Sequence, residues 1–248
     1  MPDESPVTFH RGDAPEIVQA SERARETFRY FWNQVSLDFN RIVPALELAC
    51  LKVPFSDDNS NPDAQVEEMW VEQVNFDGID INGVLLNSPN WLKSVKQGDE
   101  VHSTLSLSLS QLSDWLCVLE GQVYGALTVL LLRSRMADEE RTQHDQAWGL
   151  NFPSPSTVLT PERNQKFEDV IATLLSEQIA KDPVTVEARF DHGRTILHLE
   201  ALYGRAPSVR ALLDHGASTT TRCDRGWTPL DYARSLQWTH VVTLLENE

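Results

Sequence analysis

The chain has 248 residues, with 21 Lys and Arg against 37 Asp and Glu, for a formal net charge of −16. That length suits one large domain or two modest ones, and the acidity argues against nucleic acid as a partner, because phosphate contacts need a basic face. No run of about 18 apolar residues is present, so no membrane-spanning helix is expected; the start Met-Pro-Asp-Glu lacks the basic-then-apolar order of a secretion signal, and three cysteines without disulfide or zinc spacing fit a reduced, cytoplasmic protein.

Residues 1–15 are polar and read as a loose N-terminus. Glu16 to Asn33 reads as a helix: Ile17, Ala20, Ala24, Phe28 and Phe31 or Trp32 recur at helical spacing. The aromatic group Phe28, Tyr30, Phe31 and Trp32 is read as a core anchor rather than a ligand platform. Leu46 to Phe55 reads as a strand, followed by the polar, acid-rich turn Asp57 to Asp63. Glu67 to Asn75 alternates, with Met69, Val71 and Gln73 on one face and Trp70, Glu72 and Val74 on the other. Val101 to Leu107 alternates again, and Leu116 to Leu119 forms a strand turned by Glu120-Gly121. Tyr124 to Met136 stays open between strand and helix, since a short apolar run does not decide. Residues 16–136 are therefore expected to form an α+β domain: a leading helix and an antiparallel sheet.

An ordered set of motifs runs through that region: Glu68-Met69-Trp70-Val71, Gly83 to Pro89, Gly98-Asp99-Glu100-Val101, Leu112-Ser113-Asp114-Trp115 and Gly121 to Thr128. The set resembles the bacterial "domain of unknown function two-three-one-four" family. The resemblance implies a fold and no assigned chemistry. Ala126 departs from it, standing where a second glycine is expected, so that the turn there is expected to be tighter or helical.

Residues 137–161 are charged and then rich in Gly, Pro and Ser, and read as a linker. Thr160-Pro161-Glu162-Arg163 has the form of a helix start, and the helix behind it is expected to bury Phe167, Val170, Ile171, Leu174, Leu175 and Ile179. Beyond it the chain repeats itself. Asp191-His192-Gly193-Arg194-Thr195-Ile196-Leu197-His198 returns as Asp224-Arg225-Gly226-Trp227-Thr228-Pro229-Leu230-Asp231, with Gly193 and Gly226 33 residues apart. Thr195 and Thr228 can each cap a helix, Gly204 allows a turn between two helices, and Gly216 ends the second. The period and these residues resemble ankyrin repeats. Glu162 to Ala188 then reads as a degenerate first repeat, Leu236, Trp238, Val241, Val242 and Leu244 close the far end, and residues 162–248 hold an all-α array of about two and a half repeats. That is below the three an isolated array usually needs, so the first repeat is expected to lean on the N-terminal domain.

No His-x-x-x-His or Cys-x-x-Cys pair, nucleophile elbow or phosphate-cradling loop occurs, so neither metal nor cofactor is expected. Ser113 and Asp114 with His102 are the one constellation that could suggest hydrolysis, although Asp114 also suits a local cap. His198 falls where the ankyrin family uses an imidazole to tie neighbouring loops. What remains is protein binding. The ankyrin resemblance places His192, Arg194, Leu202, Tyr203, Arg225, Trp227, Arg234 and Trp238 on the exposed, partner-facing side, rich in the residue types that dominate interface energies. Fold-level analogy and charge point to a cytoplasmic immunity protein that neutralises a cognate, basic, secreted toxin such as a nuclease, with Asp57, Asp58, Glu67 and Glu68 blocking its phosphate site. The alternatives are a non-inhibitory ankyrin adaptor and, third, a hydrolase housed in the N-terminal domain.

Overall fold

The computed structural model describes residues 14–58, 61, 64–106 and 108–247. The expected loose N-terminus, apart from Ala14 and Pro15, and the positions Asp63 and Leu107 lie outside them. The chain divides into two compact units: the residues up to Phe31 with Val43–Pro161, and Trp32–Ile42 with Glu162 onward.

Unit 1 is built on helix α1 (Pro15–Asp38) and six strands, β1 (Leu46–Phe55), β2 (Glu67–Phe76), β3 (Asp80–Leu85), β4 (Glu100–Thr104), β5 (Asp114–Leu119) and β6 (Gln122–Gly125). The pairing is antiparallel throughout, in the order β4-β3-β2-β1-β5-β6. Ala24, Phe28 and Phe31 of α1 are fully buried, as their spacing requires. Phe28 meets Phe76 edge-on at 5.3 Å, and the Trp115 indole donates to Ala24 O at 3.0 Å. On the opposite face Cys50, Trp70, Leu116, Val118 and Val123 pack with Ala126, Val129, Leu130 and Phe152. A sheet covered on both faces explains why β5 reads as a continuous apolar run rather than an alternating one.

Two local departures follow from backbone geometry. Gln73 sits at φ 53°, where the β2–β3 register shifts between Glu72 and Asn75. This bulge inserts one residue, so Val74 and Phe76 join Met69 and Val71 in burial and the expected grouping of Val74 with Trp70 fails. The open segment Tyr124 to Met136 resolves into the end of β6 and helix α2 (Leu127–Arg133). Ala126, the N-cap of α2, lies at φ 55° and ψ 37°, the left-handed conformation for which glycine is the usual residue.

Asp114 belongs to this junction. Its fully buried carboxylate accepts from the Leu127 and Thr128 amides at 3.0 and 2.7 Å, from Thr128 Oγ1 at 2.6 Å and from its neighbour's amide, Trp115 N, at 2.9 Å. It caps α2, satisfying N–H groups a helix start leaves unpaired. Asp114→Ala is expected to cost roughly 3 kcal/mol in urea denaturation, because four buried donors lose their acceptor. A loss below about 1 kcal/mol would show that the cap is dispensable.

The segment 137–161, read as a linker, holds helix α3 (Asp138–Trp148) and lies in unit 1. Trp148, Leu150, Phe152 and Val158 pack on the core around Trp70, and Arg133 pairs with Asp145 at 2.6 Å. Composition misses this because its few apolar anchors are scattered among charged and turn residues.

Unit 2 contains α4 (Gln165–Lys181), α5 (Ile196–Tyr203), α6 (Ala206–Asp214), α7 (Pro229–Ser235) and α8 (Thr239–Glu246). The helix α4 packs on α6 and α6 on α8, while α5 packs on α7. Helix α4 starts later than Thr160-Pro161 suggests: Asn164 is its N-cap, accepting from Phe167 N at 3.1 Å. Its buried stripe is Glu168, Ile171, Ala172 and Ile179, so Val170 and Leu174, expected inside, are about half exposed at 50% and 59%. The cause of the offset is Glu168, which is fully buried in an ion pair with Arg163 and accepts from Asn33 Nδ2 at 3.1 Å.

The last turns of α1 belong to this unit. Trp32 and Phe39 pack against Tyr203 at 6.0 and 6.4 Å, Asn33 Nδ2 donates to Tyr203 O at 3.2 Å, and the buried Arg205 donates to Ser36 O and pairs with Glu200.

Candidate protein-binding surface

The ankyrin periodicity becomes a ladder of hairpin tips. At the first, Phe190 N donates to Arg194 O (2.8 Å) and Gly193 N to Phe190 O (3.0 Å); at the second, Cys223 N donates to Trp227 O (2.9 Å) and Gly226 N to Cys223 O (2.8 Å). Asp224 N then donates to His192 O at 2.9 Å, joining tip to tip. A Cβ on Gly193 would lie 2.3 Å from the Asp224 carboxylate, which would have to swing aside, and the φ of +68° favours glycine there.

Behind each tip a helix begins on a reciprocal capping box, Thr195 with His198 and Thr228 with Asp231. His198 Nδ1 accepts from Thr195 N at 3.0 Å, which leaves the proton on Nε2 to donate to Trp227 O at 3.1 Å. Burial and the charges of Arg189 and Arg194 hold this imidazole below its usual pKa. The neutral form is therefore the one that fits the fold. Its contribution to stability is full above the ordinary histidine pKa of about 6.5 and is lost as pH falls toward the lower folded value. Urea midpoints measured from pH 7.5 downward are expected to fall below about 6.5, and His198→Gln to remove part of that slope; an unchanged slope would mean that His198 does not carry it.

The expected surface residues divide into two groups. His192 and Arg234 are exposed, and Arg194, Arg225 and Trp227 are partly so, with Trp227 stacked edge-on against Tyr232 at 5.1 Å. Leu202 and Trp238 are buried at 1% and 3%: Leu202 is in the core of α5, and the Trp238 indole donates to Leu202 O at 3.1 Å. Tyr203 is packed between Trp32 and Phe39 under the Arg205 guanidinium (4.6 Å), and Arg234 is paired with Glu246.

The acidic candidates divide likewise. Glu67 is 4% exposed and accepts from Asn90 N and Nδ2 at 2.8 and 2.6 Å, which removes it from any surface. Asp57 is exposed but accepts from Lys93 N and Ser94 N at 3.0 and 2.8 Å; the Ser94 hydroxyl first, and then these amides, hold its carboxyl below the usual range. Asp58 and Glu68 are exposed, with Glu68 accepting from Ser113 Oγ at 2.6 Å.

Ser113, Asp114 and His102 do not assemble. Asp114 serves as a cap, Ser113 faces Glu68, and His102 lies against Asn82 Oδ1 at 3.0 Å on β4, four strands from β5. At about 4.8 Å per strand that is a separation of roughly 19 Å. Among the described residues no group of three or more His, Cys, Asp or Glu could hold a metal, and no helix is long and apolar enough to cross a membrane.

Two residues of the tips escape the sequence reading. Arg189 Nη1 donates to Gly193 O and Arg222 O at 2.7 and 2.9 Å, and Arg222 Nη1 donates to Gly226 O. The signal was present, since they are spaced by the same 33 residues as the glycines they hold.

Comparison with known proteins agrees with this architecture. Residues 14–152 match the family described as "Uncharacterized protein conserved in bacteria (DUF2314)", and residues 180–233 match "Ankyrin repeats (many copies)". Over 250 aligned residues the chain is 35% identical to a protein of Neisseria meningitidis serogroup B named "Putative ankyrin repeat protein", with 97% of each chain covered. Ankyrin repeats are a protein-binding architecture, and the coarse function that follows is protein–protein interaction.

Proposed function

Because the chain belongs to the bacterial DUF2314 family and continues into ankyrin repeats, we propose that it is an immunity protein: a cytoplasmic binder that neutralises a cognate secreted toxin by direct contact. The observation that carries the reading is the tip surface. Mutually bonded hairpins present His192, Arg225 and Trp227, and Trp and Arg are residue types that carry binding energy at interfaces. A net charge of −16 supports a basic toxin such as a nuclease, whose approach the acidic chain would steer. Of the four acids expected to block its phosphate site, Asp58 and Glu68 are the exposed pair that this reading keeps; Glu67 and Asp57 hold the loop spanning residues 90–94.

Co-expression with the product of the adjacent gene tests this. The neighbour alone is expected to arrest growth, and the chain to restore it while forming a stable complex. A neighbour that is harmless by itself yet still bound would replace neutralisation by an adaptor role.

A further inference from the structure

In a chain of net charge −16 the two hairpin tips run against the average. They carry Arg189, His192, Arg194, Arg222 and Arg225 against only Asp191 and Asp224, and the Asp224 carboxylate lies over Gly193. The cations follow the repeat: Arg189 and Arg222, like His192 and Arg225, are 33 residues apart. They also converge, since Arg189 and Arg194 both bear on His198, and Arg194 and Arg225 both bear on Tyr232.

Arg189 and Arg222 are both exposed and both anchored. Each spends one Nη on carbonyl oxygens of its tip; among the described residues neither makes an ion pair within 4 Å, and the carboxylate that Arg222 bears on is that of the capping Asp231. An anchored guanidinium has already lost the rotamer freedom that makes exposed ion pairs weak, and its remaining N–H fork matches a carboxylate. Neighbouring repeats stack at about 8–10 Å, which is roughly three residues of an extended chain at about 3.3 Å each.

We propose that the two tips bind an acidic segment of a protein partner, an extended stretch with carboxylates about three residues apart, seated on Arg189 and Arg222 and flanked by Arg194, Arg225 and Trp227. This rests on the reading of the chain as a protein binder and goes beyond it. A toxin basic at its active site would meet the tips through a separate acidic strand or loop.

The test uses the full chain and a fluorescent glycine-based peptide carrying glutamate at every third position, followed by anisotropy. Binding is expected to weaken with added salt and to be absent for the glutamine counterpart. R189Q/R222Q is expected to weaken it about tenfold, and R189K/R222K to lose less. Should the glutamine variant prove unfolded, Arg225→Glu, outside these carbonyl contacts, must weaken the peptide likewise. The proposal is overturned by no binding, by equal binding of the glutamine peptide, or by indifference to both substitutions. It is also overturned if a single-stranded oligonucleotide binds as tightly, which would mark a general polyanion patch. Self-association abolished by R189Q/R222Q would overturn it too, by assigning the tips to a second copy. If peptide binding stands while co-expression fails to restore growth, only the immunity reading is lost.

Discussion

Replacing Gly204 by alanine is expected to destabilise the ankyrin unit by about 3 kcal/mol. Gly204 ends α5 at φ +74°, and a Cβ there would lie 2.3, 2.4 and 2.8 Å from three ring atoms of Trp238. Left-handed backbone costs a residue with a Cβ roughly 1–2 kcal/mol, and overpacking a filled core adds about 1–3 kcal/mol. Trp238 cannot retreat, because it is 3% exposed and its indole is bonded to Leu202 O. Gly216 is the control: its φ is +81°, but nothing lies within 4 Å of a Cβ there. Gly216→Ala is expected to cost only about 1 kcal/mol. Urea denaturation at constant m-value measures both, and equal costs would contradict the account of the Trp238 contact.

The second large effect is expected from a fragment beginning near residue 156. It retains every ankyrin helix but lacks Trp32–Ile42, which belongs to the same compact unit. Without that stretch Tyr203 loses Trp32 and Phe39, and the buried Glu168 and Arg205 lose Asn33 and Ser36 O as partners. Short arrays have little interface to spare, and buried polar groups left unpaired cost about 1–3 kcal/mol each. The fragment is expected to show no cooperative thermal transition. In the full chain, Arg205→Leu strips the buried Glu200 of its ion-pair partner, and is expected to cost about 3–5 kcal/mol. A fragment that melts cooperatively near the temperature of the full chain would show the array to be self-sufficient.

Much of the fold is legible in the residues because local signals agree with tertiary context. The ends of β1, the Glu120-Gly121 turn with its two positive φ values, and both capping threonines stand where composition and spacing put them. What escaped has physical causes. A bulge at Gln73 has no sequence marker, because its residue is not glycine. The phase of α4 was misread because a buried ion pair put Glu168 where an apolar residue is expected. The site was half legible: the tips and His198 follow from the repeat, whereas Leu202 and Trp238 are buried where an average repeat exposes them. Arg189 and Arg222 carried the right period, but their role depends on carbonyl contacts that only the folded tips create.

The hairpin tips are proposed to be the partner-binding surface. Amide hydrogen exchange of the full chain, alone and mixed with the product of the adjacent gene, tests this most directly. The account predicts new protection at residues 189–194 and 222–227. Protection confined to unit 1, with both tips exchanging as in the free chain, would contradict it.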